Sequence, residues 1–276
     1  MNSPWYQRFQ ASSPSLPRLI CIPYAGAGSG VFRPWAAHLS KVAEVIAVQL
    51  PGRQERMDEP AFDSVSSLVP RLAEALLPLV DHPYVLFGHS LGAIIAFELA
   101  LVLEGAASLG PQHLIASARR SPSFPLETPA LHRLPDAQLI GALRAMGGTP
   151  EAVLADPDLM AALLPVVRAD LKATEQHVSA RGPRLQCPIT VFGGLEDGLV
   201  SPEALTAWAD ATSGPSRVVW FDGGHFFIHD YRDQVLESVS DILGVSTRGP
   251  RPDASVRSGA FVQNGVSHSG PKCVTP

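Results

Sequence analysis

The chain has 276 residues and a mass of 29.3 kDa, long enough to bury a full core without disulfide or metal staples. An apolar fraction of 46% and a mean hydropathy of +0.13 exclude a disordered or fibrous protein. A net charge of −5, with an isoelectric point of about 6.0, leaves no electrostatic footprint for nucleic acid or for an anionic membrane surface.

Residues 1–16 read as a lead-in. Met1 to Pro14 shows no basic segment followed by an apolar one, so no secretory leader is expected. Arg18 to Tyr24 reads as a buried strand that ends in the flexible Ala25–Gly30 loop, and a helix follows near Val31 to Leu39. The next strand is Glu44 to Leu50, stopped by Pro51-Gly52. Val65 to Val80 carries leucines at helical spacing (Leu68, Leu72, Leu76, Leu79). Tyr84 to Gly88 is a short strand, followed by Ser90 and the helical run Leu91 to Leu103, which is too short to span a bilayer. Gln112 to Ser117 is a further strand. This alternation implies an α/β protein with a mostly parallel central sheet and helices on both faces.

The alternation then stops. From about Leu126 the pattern is helical only, with segments at Asp136 to Met146, Pro150 to Ala155 and Pro157 to His177. Strands resume at Pro188–Gly193 and Arg217–Phe221, and a last helix covers about Tyr231 to Leu243. Residues 126–177 are therefore expected to form a helical lid inserted into a core made of 17–125 and 178–244, above the sheet edge where such folds bind ligands. Residues 245–276, rich in Ser, Gly, Pro and Arg, read as a disordered tail. Cys21, Cys187 and Cys273 are too few and scattered for a disulfide framework or a zinc site, so a reduced, cytoplasmic protein is expected.

The sharpest chemical signal is Gly88-His89-Ser90-Leu91-Gly92, a G-x-S-x-G match between a strand and a helix. A sharp strand-to-helix turn leaves little room, so glycines on either side permit close backbone approach, and the turn presents the Ser90 hydroxyl outward. A serine hydroxyl needs a base, and the base needs a carboxylate to orient it; the chain order here is serine, acid, histidine. Asp197, after the strand at Ile189–Gly194, is the favoured acid, with Glu196 as the alternative. His225, in the loop Asp222-Gly-Gly-His225 after the last strand, is the expected base. His229 reads as structural, and His89 as packing behind the site. The oxyanion hole is expected from the backbone N–H groups of Leu91 and Ala25. The Ala25–Gly30 loop lacks the Lys-Ser/Thr ending of a P-loop, which argues against a nucleotide site.

Several segments together resemble the type II thioesterases that accompany modular polyketide synthases and nonribosomal peptide synthetases. They are Ile22-Pro-Tyr-Ala-Gly26, Val48-Gln-Leu-Pro-Gly-Arg-Gln-Glu-Arg56, Phe87-Gly-His-Ser-Leu-Gly-Ala93, Met146-Gly-Gly-Thr-Pro150, Leu164–Asp170, Phe192–Asp197 and Gly223–Phe227. The resemblance covers roughly residues 17–243. It implies an α/β-hydrolase fold with a mobile lid and hydrolysis of aberrant or stalled acyl groups from the phosphopantetheine arm of carrier proteins. It implies acyl or peptidyl carrier protein domains as partners, no cofactor and no metal, and the monomeric state is favoured. The alternatives are a medium-chain acyl carrier thioesterase of fatty acid synthesis and a small-molecule carboxylesterase.

Two further groups carry expectations. Arg53 and Arg56 are either a basic element facing the site or an acidic carrier, or structural arginines paired with acids such as Glu55 or Asp58. The lid residues Leu139, Leu143, Met146, Leu159, Met160, Leu163 and Leu164 are expected to serve mainly helix packing, with some lining an acyl pocket.

Overall fold

The structure is a computed structural model that describes residues 3–10, 15–106, 110–125, 130–177, 179 and 184–246. Its centre is a seven-stranded sheet: β1 (Tyr6–Arg8), β2 (Arg18–Ile22), β3 (Glu44–Val48), β4 (Tyr84–His89), β5 (His113–Ser117), β6 (Ile189–Gly194) and β7 (Ser216–Phe221). The spatial order is β1-β3-β2-β4-β5-β6-β7, and every pairing is parallel except β1 with β3. Six strands stand where the apolar runs place them. The seventh, β1, lies in the stretch read as lead-in, where Tyr6 pairs with Val48 and Arg8 with Ile46. It is a half-exposed edge strand that pairs on one side only, so it carries no continuous apolar run.

Alternation along the strands sends side chains to two faces. On one face Ile20, Ile22, Leu86, Leu114 and Val191 pack under α2 (Val65–Leu76) and α3 (Leu91–Ala106), with Trp208 fully buried among them. On the other, Leu19, Cys21, Phe87, Ile115 and Phe192 pack against Trp35 of α1 (Arg33–His38) and against Val235, Leu236 and Val239 of α9 (Arg232–Ser246). The last helix therefore runs two residues beyond the expected tail boundary; residues 247–276, including Cys273, lie outside the described residues. Among the described residues no helix is long and apolar enough to cross a membrane.

The insertion between β5 and β6 forms α4 (Asp136–Met146), α5 (Glu151–Leu154) and α6 (Pro157–Glu175); residues 126–129 at its start lie outside the described residues. It has its own apolar cluster of Leu139, Leu143, Leu154, Met160, Leu164 and Val167. Two short helices complete the fold, α7 (Pro202–Thr206) and α8 (Phe227–Asp230).

The strand order fixes where a site can form. The chain runs outward from β2 to β3, then crosses back over β2 to β4 and continues toward β7. The C-terminal ends of β2 and β4 therefore flank the switch point, the crevice in which open α/β sheets hold ligands.

Candidate active site

Ser90 sits between the last residue of β4 and the first of α3, with φ at +53°. That left-handed conformation costs energy for a residue with a Cβ and is held here by its surroundings. Ser90 N–H donates to the Ser117 carbonyl at 2.8 Å, and Ser117 Oγ bonds His89 Nδ1 at 2.9 Å, so the end of β5 grips the turn twice. The flanking glycines are required by space. A Cβ at Gly88 would lie 2.0 Å from the Gly92 carbonyl oxygen, and one at Gly92 would lie 2.2 Å from that of Ile22. Sequence reasoning anticipated the glycines but gave no role to Ser117.

Asp197 lies just after β6 and His225 in the loop after β7, and the structure brings both to Ser90. His225 Nδ1–H donates to Asp197 Oδ2 at 2.8 Å, which leaves Nε2 as the acceptor for the Ser90 hydroxyl at 3.1 Å. The Asp197 carboxylate is 1% exposed, and its other oxygen accepts the Leu199 N–H at 2.9 Å. Both oxygens are thus fixed, which fixes the imidazole. Glu196, the alternative acid, is exposed and stands outside this chain of bonds.

His89 is fully buried, its ring 5.3 Å from that of His225 and 5.7 Å from that of Tyr24. Burial, and then the neighbouring His225 and His229, hold it neutral, its pKa well below the usual histidine value. His229 bonds the Tyr24 hydroxyl through Nε2 at 2.9 Å, and burial lowers its pKa as well. Burial pushes the Tyr24 hydroxyl up to about 12, so it stays protonated. This pair ties the loop after β2 to the histidine loop.

Leu91 opens α3, so its N–H is one of the first four amides without an acceptor inside the helix. Ala25 occupies position i+1 of a turn in which Ala27 N–H returns to the Tyr24 carbonyl at 3.0 Å. Gly26 has φ at +76° at position i+2, as a type II turn demands. Ala25, Ser90 and His225 line one cavity of about 240 Å³. Its roof is the lid: Leu143, Met146, Leu163 and Val167, with Gly147 and Gly148 beside Phe226. Of the expected lid residues, Leu139, Met160 and Leu164 pack within the lid itself, and Leu159 is half exposed.

The two arginines are structural, as the second of the two readings has it, but their partners are not the acids expected. Both are buried, so neither offers its charge to a partner. Arg53 pairs with Asp170 of α6 through two bonds, at 2.7 and 3.0 Å, and Arg56 pairs with Glu59; Glu55 and Asp58 are exposed. Among the described residues no group of three or more His, Cys, Asp or Glu side chains is placed to hold a metal ion.

The thioesterase domain family matches residues 17–243. The chain belongs to the thioesterase domain family. It is accordingly a thioester hydrolase built on an α/β-hydrolase fold. It is 37% identical over 233 residues to the gramicidin S biosynthesis protein GrsT of Aneurinibacillus migulanus, covering 84% of this chain and 91% of that protein. It is 36% identical over 253 residues to the thioesterase PikA5 of Streptomyces venezuelae, covering 91% of this chain and 89% of that one. Among solved structures it resembles the type II thioesterase BorB from the borrelidin biosynthetic cluster. There the TM-score is 0.82 at 37% identity, over 88% of this chain and 99% of BorB.

Proposed function

We propose that this thioesterase is a type II, editing enzyme that frees carrier proteins of aberrant or stalled acyl groups in polyketide or nonribosomal peptide biosynthesis. The observation that carries the reading is the chain of hydrogen bonds from Asp197 through His225 to Ser90, opening into an apolar cavity roofed by the lid. Carrier-protein partners, a monomeric state and a cytoplasmic location belong to the same proposal; the names of the relatives, as biosynthetic and type II thioesterases, support the editing reading.

In this mechanism His225 takes the Ser90 proton as Ser90 Oγ attacks the thioester carbonyl, and Asp197 stabilises the imidazolium. The Ala25 and Leu91 amides hold the oxyanion; each such donor is worth about 2.7–4 kcal/mol in the transition state. The C–S bond then breaks, His225 gives the proton to the departing pantetheine sulfur, which leaves as the free thiol, and the acyl group remains on Ser90. Water, deprotonated by the same histidine, attacks this ester, and the acid leaves as Ser90 regains its proton. Every step uses groups of the chain, the substrate and water.

Intact-protein mass spectrometry tests the reading. Acetyl-, propionyl-, butyryl- and hexanoyl-loaded carrier protein is mixed with the enzyme and with Ser90→Ala. The proposal expects the wild type to restore the free pantetheine thiol and the variant to leave the carriers loaded. Carriers that stay loaded while simple p-nitrophenyl esters are cleaved would overturn it in favour of a small-molecule esterase.

A further inference from the structure

We propose that Asp170, on lid helix α6, is a positioning residue that aims the oxyanion hole; the inference rests on the reading of Ser90 and Ala25 above. Asp170 lies far from the reacting atoms in sequence and touches neither Ser90 nor His225 by any hydrogen bond in the structure. Its carboxylate reaches the turn that carries Ala25. Oδ2 accepts the Gly26 N–H at 2.7 Å and the Arg53 Nη1–H at 2.7 Å, and Oδ1 accepts Arg53 Nη2–H at 3.0 Å. Arg53 also donates to the Ala27 carbonyl at 3.3 Å and to the Pro51 carbonyl at 3.2 Å. The pair thus clasps the turn on both sides of its i+2 residue, by the N–H of Gly26 and the carbonyl of Ala27.

The clasp is buried and itself braced. Asp170 is 3% exposed and Arg53 7%. The Arg53 carbonyl accepts from Gln49 Nε2 at 2.9 Å, and Gln49 Oε1 accepts the Ser29 N–H at 2.9 Å, so both ends of the loop after β2 are tied to one set of side chains. Val167, one turn before Asp170 on α6, lies so close to Gly26 that a Cβ there would approach its Cγ2 to 2.9 Å. The Ala25–Gly26 peptide plane is therefore set from the lid side. Rotating that plane moves the Ala25 amide, since adjacent peptide planes share a Cα. Charge-assisted bonds in a dry site give the aim its stiffness. The consequence is that α6 does more than roof the cavity: it completes the electrostatics of the site below it.

The test uses Asp170→Asn and Asp170→Glu in the full chain. Asp170→Asn leaves Arg53 without its counter-charge and tests the whole clasp. Asp170→Glu keeps the ion pair but shifts the carboxylate by one methylene away from the Gly26 N–H, so it separates aim from stability. For Asp170→Glu, kcat on a butyryl-pantetheine thioester is expected to fall 10- to 100-fold with KM within about twofold. Labelling of Ser90 by a fluorophosphonate, whose P=O must occupy the oxyanion hole, should slow in proportion. The downfield proton resonance of His225 Nδ1–H should persist, as a merely misfolded site would not allow. A folded Asp170→Glu with wild-type kcat and labelling rate would sink the role of Asp170, as would a loss confined to KM. Labelling that persists in Ser90→Ala would instead bring down the underlying reading of the site.

Discussion

Gly92→Ala should break the proposed oxyanion hole without touching the side chains of Ser90, His225 or Asp197. The added Cβ would stand 2.2 Å from the Ile22 carbonyl oxygen and 2.8 Å from that of Pro23, both backbone atoms of β2 and its loop. Reaching an ordinary contact of about 3.4 Å requires a separation of about 1.2 Å, and no flexible side chain can absorb it. The displacement drives the start of α3, which carries the Leu91 amide, away from the strand end that leads to Ala25. Both donors belong to that gap. A misplacement of about 1 Å costs on the order of a hundredfold in rate, or about 2.7 kcal/mol in the transition state. The overpacking itself should cost about 1–3 kcal/mol of stability. Gly105 is the internal control: it lies on the same helix, where a Cβ meets open space, so Gly105→Ala should keep full activity and gain up to about 1 kcal/mol in stability. Thiol release from a butyryl-pantetheine thioester and thermal melts measure the two effects. A folded Gly92→Ala with wild-type kcat would refute the argument that glycine at 92 is what lets the two donors converge.

Ser90→Ala and His225→Ala should each lower kcat/KM by several orders of magnitude, and the double variant should be within about tenfold of either, because the hydrogen-bonded pair acts as a unit; multiplied losses would contradict that. Acid should weaken the fold through His113, which bonds Thr190 Oγ1 at 2.8 Å and whose pKa is lowered to about 4 by burial and then by Arg217. The unfolded chain takes up this proton near pH 6.5 and the folded one only near 4. Stability is therefore complete above 6.5 and is lost as pH falls toward 4, by roughly 3 kcal/mol at most. Urea midpoints at pH 7.0 and 4.5 should differ less in His113→Gln than in the wild type, and an unchanged difference would rule His113 out.

The parallel core was legible because its central strands are short apolar runs buried on both faces, as in Leu19–Ile22 and Tyr84–Phe87. The meeting of Ser90, His225 and Asp197 was legible for a related reason: each of the three follows a strand that could be read, so the sheet itself predicted their convergence. β1 was not legible, since Tyr6, Gln7 and Arg8 form a half-solvated edge with no alternation to detect. Nor was the Arg53–Asp170 clasp, whose partners are 117 residues apart and join two elements, a loop and an inserted helix, whose contact no local pattern encodes. The one available signal was chemical. Asp170 is an acid three residues from Val167 on the buried face of α6, and a buried acid requires a cation or several donors. The nearby sequence candidates, Glu55 and Asp58, were attractive only because they were close in the chain.

The lid divides along α6, and the division carries a last prediction. Beyond Pro165 the helix is tied to the core: Asp170 to Arg53 and Gly26, and Lys172 to Asp63 at 2.5 Å. Before it, Met160 and Leu164 pack with Leu139 and Leu143 of α4 and Leu154 of α5, in a cluster separate from the two sheet faces that Val167, one turn beyond Pro165, also joins. Pro165 itself offers no N–H to the Ala161 carbonyl, so the ladder is interrupted where the two halves meet. On the proposed function an acyl chain passes beneath the cavity roof, of which Leu143, Met146 and Leu163 belong to the first half and Val167 and Leu171 to the second. The opening that admits it should therefore move α4, α5 and residues 157–164 while residues 166–175 stay with the sheet, keeping the clasp on Gly26 closed throughout. Native-state hydrogen exchange reads this directly. Amides of 137–164 should exchange through local opening at a free energy well below that of the sheet, and those of 167–175 only near the global value. Equal protection on the two sides of Pro165 would mean that α6 moves as one piece, and then the turn bearing Ala25 would lose its clasp each time the lid opened.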